Sequence, residues 1–116
     1  MIRRKSIPAG ASVAGLILLV GCAGTMSANE CAGADWRAIG EADGKVGEPA
    51  ALFGKRSQDC LSHGYAVDHD AYRVGRDAGL AQLCTPDGGF DAGSAGVEYK
   101  GVCPADAEPG FLEQFT

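Results

Sequence analysis

The stretch Tyr72-Arg73-Val74-Gly75-Arg76-Asp77-Ala78-Gly79-Leu80-Ala81-Gln82-Leu83 reads as part of one helix. It starts near Asp68 or Asp70 and ends before Pro86, with Tyr72, Gly75, Gly79, Leu80 and Leu83 along one side. A mid-helix glycine costs about 1 kcal/mol relative to alanine. Two of them four residues apart on one face therefore need compensation, and close approach of a second backbone supplies it. Trp36-x3-Gly40-x3-Gly44 weakly echoes Tyr72-x2-Gly75-x3-Gly79, and Phe90-x2-Gly93-x2-Gly96 repeats the aromatic-then-glycines theme. The expectation is that Gly40, Gly44, Gly75 and Gly79 are packing glycines. The alternative is a glycine-lined ligand groove, which would also need convergent polar groups.

Two further helices precede this one. The first runs from about Asp35, placed to cap it, to Gly47, with Trp36, Ile39, Asp43 and Val46 roughly on one face. The second starts near Pro49, carries Leu52, Phe53, Cys60 and Leu61, and stops at Gly64. Residues 85–101 are dense in turn formers and read as a Gly-rich loop, or a turn with short extended pieces. A last short helix is expected between Pro104 and Phe115, with Phe111, Leu112 and Phe115 offered to the core and Pro109-Gly110 able to delay its start. The fold class is thus mainly α: three to four short helices with a Gly-rich loop, in one domain spanning residues 31–116.

Ahead of that domain, Arg3, Arg4 and Lys5 precede an apolar run from Ile7 that ends in Leu18-Leu19-Val20-Gly21-Cys22. A positive start, a short apolar segment, small residues before the cut and a cysteine after it together make a lipoprotein signal. The run is shorter than the ~20 residues of a bilayer span, and Pro8, Gly10 and Gly15 weaken it as a helix. Residues 1–21 are expected to be removed as a signal peptide, with Cys22 acylated and residues 22–30 forming a small, polar, lipidated tether. That places the protein in a bacterial cell envelope, lipid-anchored and facing the periplasm. Ala23 stands where an aspartate would direct inner-membrane retention, which favours the outer membrane.

With the signal removed, the ten Lys and Arg fall to seven against fifteen Asp and Glu, a net of −8. The basic residues are scattered among acids, so the chain lacks the basic patch of a nucleic-acid binder. Beyond the Cys22 lipid, Cys31, Cys60, Cys84 and Cys103 are an even set in a compartment that permits disulfides. Four-thiolate zinc sites bring ligands in close pairs such as C-x2-C, and none is present. Of three possible pairings, an antiparallel hairpin of the first two helices would bring Cys31 to Cys60, and a chain reversal through the Gly-rich stretch would bring Cys84 to Cys103. In the chain-entropy view each closure contributes about 3 kcal/mol.

Catalytic motifs are missing. Gly40-x3-Gly44-Lys45-Val46 lacks the spacing and the hydroxyl of a phosphate loop, and Ser94 lacks the glycine two residues before it that a nucleophile elbow needs. Asp43 and Asp77 occupy similar places in the two glycine-bearing helices, fit either for acid-base work or for structural ion pairing. His63 and His69 are the weak candidates for a metal site, in no defensible zinc pattern. No cofactor is expected.

The order Cys31…Asp35-Trp36-x3-Gly40-x2-Asp43-Gly44-x2-Gly47…Cys60…Tyr72-x2-Gly75-Arg76-x2-Gly79-Leu80-x3-Cys84-Thr85-Pro86…Gly93-x2-Gly96-x2-Tyr99-x-Gly101-Val102-Cys103-Pro104…Phe111 resembles the domain of unknown function 2799 family, small envelope lipoproteins of Gram-negative bacteria. The resemblance spans essentially residues 31–115. It implies localisation and a shared cysteine and glycine framework, and no activity. His63, three residues after Cys60, departs from the family, which carries a histidine a few residues before that cysteine. The expected function is a membrane-anchored structural or protein-interaction module with an envelope protein as partner; a small enzyme or a metal-binding protein is the alternative. Replacing Cys22 by serine should leave an unprocessed, unlipidated precursor. A lipid-modified mature species from that variant would defeat the assignment.

Overall fold

The computed structural model describes residues 26–116, so the expected signal peptide and Cys22 lie outside the described residues. Six helices follow in order: α1 Ala28–Ala32, α2 Trp36–Lys45, α3 Ala51–Ser62, α4 His69–Leu83, α5 Pro86–Ser94 and α6 Glu108–Phe115. Among the described residues there is no strand.

Local chemistry sets the ends. The Asp35 side chain accepts from the Ala38 amide (3.1 Å) and Asp68 from the Ala71 amide (3.0 Å), which satisfies first-turn donors of α2 and α4. Gly47, Gly64 and Gly96 take positive φ just past α2, α3 and α5, a conformation that side-chain-bearing residues resist.

Helices α2 and α4 lie against each other through their glycines. A Cβ at Gly40 would collide with the Tyr72 carbonyl, one at Gly44 with that of Arg76, one at Gly75 with that of Arg37 and one at Gly79 with that of Glu41. The facing residue numbers rise together, so the two helices run parallel, and α3 is the crossover that returns the chain. In each glycine the hydrogen in the Cβ direction points at a facing carbonyl, a weak Cα–H···O contact repeated four times. The Cys31–Cys60 bond expected from an α2–α3 hairpin is present; what chain adjacency did not indicate is the α2–α4 contact, which joins helices far apart in the chain.

The stretch 85–101 is corrected in part, because residues 86–94 form α5 rather than loop. Thr85 caps it by accepting from the Gly88 amide (2.9 Å), and Pro86 suits the first turn. Its glycines repeat the device of the first pair: a Cβ at Gly89 would strike the Phe111 carbonyl and one at Gly93 that of Phe115. Thus α5 and α6 are a second parallel glycine pair, and their packing outweighs the helix cost of glycine. The tether 22–30 is corrected too. Met26 is buried, and Ser27 and Glu30 form a reciprocal capping box on α1, so the folded body begins at Met26.

Both expected disulfides are present, Cys31–Cys60 and Cys84–Cys103. Each belongs to one of two apolar clusters. Met26, Cys31, Trp36, Cys60 and Tyr72 gather at the N-terminal ends of α2 and α4, and Cys84, Ala92, Cys103 and Phe111 gather around α5 and α6.

Gly79→Ala should lower stability by about 2 kcal/mol or more, since the new methyl meets backbone rather than a movable side chain. The control is Gly54→Ala in α3, where nothing lies within 4 Å of the added Cβ; it should stabilise by about 0.5–1 kcal/mol. Denaturant titrations of the two variants read the difference directly.

Candidate interaction surface

Asp43 sits between the packing glycines of α2 and is 4% exposed. A buried carboxylate must be paired and hydrogen-bonded. The Arg56 guanidinium from α3 meets it in a fork, Nε at 2.9 Å and Nη2 at 2.8 Å, and the Tyr72 hydroxyl from α4 donates to it at 2.6 Å. One carboxylate therefore ties all three helices at the level of the glycine contact. The hydrogen bond to Asp43 pushes the Arg56 guanidinium up from its ordinary pKa. Burial, then the hydrogen bond to Asp43 and its charge, push the Tyr72 hydroxyl up, partly opposed by the positive charges of Arg76 and Arg56.

Around this network the aromatic rings form one cluster. Phe53 lies on Tyr72 with centroids 4.1 Å apart, Trp36 meets Phe53 edge-on at 6.0 Å, and His69 presents its edge to Phe53 at 5.0 Å. His69 is thus a packing partner at the first position of α4, and His63 lies exposed just past α3. Among the described residues no group of three or more His, Cys, Asp or Glu side chains is gathered so as to hold a metal ion. Asp77 is exposed, and no hydrogen bond or ion pair links it to Asp43, whose partners are Arg56 and Tyr72. Gly40, Gly44, Gly75 and Gly79 face backbone and line no groove.

Sequence reasoning missed the roles of Arg56 and Tyr99. Tyr99 donates to Glu108 at 2.6 Å and accepts from the Cys103 amide at 3.1 Å, which fastens the irregular segment after α5 onto α6. Burial, then the bond to Glu108, raise its hydroxyl pKa. Asp43 itself carried a signal: a carboxylate inside a glycine contact stripe has to find a cation. The sequence did not say which cation. Arg56 supplies it, whereas Arg76 Nη1 is buried without a hydrogen-bond partner among the described residues.

Where the two glycine pairs meet, the C-terminal ends of α2 and α4 and the outer side of α5 leave an open groove of about 360 Å³. Val46, Leu83, Ala92, Ala95 and Val97 make its lining mostly apolar, with Lys45, Gln82 and Asp91 at its polar positions. Val46 is 60% exposed and Val97 42%.

Two parallel helix pairs packed through glycine, two disulfides and a buried carboxylate bonded to Arg56 and Tyr72 define a small α domain. The family model described as "Protein of unknown function (DUF2799)" matches residues 35–116, and the chain belongs to that family. No curated protein and no solved structure matches the chain.

A tyrosine whose folded pKa is raised contributes stability that is complete below its unfolded value near 10 and is lost as pH rises above it. Tyr72→Phe should cost about 1 kcal/mol at pH 7. It should also flatten the fall of the melting midpoint above pH 10, leaving the share due to Tyr99. An unchanged slope would remove Tyr72 from the alkaline transition.

Proposed function

We propose that this protein is a membrane-anchored envelope lipoprotein, held by acyl chains on Cys22 and acting in the periplasm as a protein-interaction module. The observation that supports it best is the contrast between its buried and exposed groups. The buried carboxylate and the four thiols are taken up internally: Asp43 accepts from Arg56 and Tyr72, and Cys31, Cys60, Cys84 and Cys103 are oxidised in pairs. What stays open to a partner is the apolar groove of Val46 and Val97. Apolar surface in a concave site is the usual mark of binding rather than of proton or group transfer. The lipoprotein signal supports the anchor, and Ala23 after the cysteine favours the outer membrane.

A photo-crosslinking residue at Val46, in cells, should give a discrete adduct that disappears when Val97 is changed to aspartate. The same residue at exposed Arg73 should give none. Equal adducts at both positions, or none at Val46, would reject the groove as a binding face.

A further inference from the structure

We infer that the α1 end of the domain is held against the lipid headgroups of the membrane that anchors it, by a leash of three residues. The inference rests on the lipid-anchor reading of Cys22 and adds to it where the folded body begins. Met26 is the first described residue and it is fixed: its side chain is buried, its amide donates to Asp59 at 3.0 Å, and its sulfur lies 3.8 Å from the Cys60 sulfur. Ser27 and Glu30 then lock the start of α1 from both sides, 3.1 Å and 2.8 Å.

Only Ala23, Gly24 and Thr25 separate that fixed point from Cys22. Even fully extended, the four steps from Cys22 to Met26 span about 14 Å. An acyl chain in the bilayer keeps the cysteine at the headgroup level, so Met26 cannot rise further than that. A helix is about 10–12 Å across with its side chains, so the available gap is little more than one helix diameter. The excess of acidic residues in the rest of the chain gives no attraction to an anionic surface. The leash, rather than charge, imposes the contact. Because α2 and α4 run parallel, both N-terminal ends lie at the leashed end beside Met26, and the Val46 groove lies at their other end. The membrane covers α1, and the groove is presented away from the leash.

Trp36 is the chain's one tryptophan and packs in the same cluster as Met26, so it reports the height of this end above the bilayer. The test reconstitutes lipid-modified protein in phosphatidylethanolamine/phosphatidylglycerol vesicles containing a dansyl-headgroup lipid and measures energy transfer from Trp36. The comparison is a variant with twenty Gly/Ser residues inserted after Gly24, a spacer of about 25 Å root-mean-square length. Melting curves and a mass spectrum accompany each protein. The expected result is strong transfer in the natural chain and less than half of it in the spacer variant, with equal melting midpoints. Equal transfer in two lipid-modified, equally stable proteins would overturn the leash, and weak transfer in the natural chain would overturn the apposition. A mass without the lipid would reject the anchor itself, and the apposition with it.

Discussion

Backbone meeting backbone at Gly40, Gly44, Gly75 and Gly79 is the contact on which the other features depend. Each of the four removes a side chain where a carbonyl of the other helix must pass. The loss in helix propensity is about 1 kcal/mol per glycine, and it is recovered through dispersion and Cα–H···O contacts that form only at close range. Close range in turn buries Asp43. Once buried, that carboxylate requires Arg56 and the Tyr72 hydroxyl, and so the crossover helix α3 is fastened to the pair it connects.

A small domain has little apolar surface to bury, and this one divides its core into two clusters. Each has a disulfide within it, so a covalent link adds to the modest apolar contribution of each cluster. In the first cluster the Cys31–Cys60 bond draws α1 onto α3, and Met26 covers the pair. In the second, Cys84–Cys103 closes the chain around α5, and Tyr99 and Glu108 secure the irregular segment. The groove of Val46 and Val97 lies where the two helix pairs meet at an edge that neither fills.

Much of the local structure was legible from residues alone. Asp35 caps the helix it was expected to cap, Asp68 caps the one expected to start near Asp68 or Asp70, and Gly47 and Gly64 stand past the ends they were expected to mark. Residues 86–94 are not legible as helix because their glycines signal turns in isolation; Thr85-Pro86-Asp87 is the helix-start signal they carry. Gly89, four residues before Gly93, held the same packing signature as the first pair, but the aromatic-first pattern drew attention to Phe90, which is 59% exposed. Met26 was read as tether since one apolar side chain among small polar ones shows no period.

From the sequence by itself came the helical class, the caps and breaks, the four contact glycines, the disulfide pairing, and the family resemblance that the family match confirms. These follow from near neighbours in the chain, where propensity, capping and loop closure act. Only the tertiary structure decided that α2 and α4 pack in parallel, that Arg56 answers Asp43, that α5 is a helix, and that the folded body starts at Met26. Each of those depends on the fit between surfaces far apart in the chain, and a glycine stripe records that a partner must come close without recording which one or in which direction.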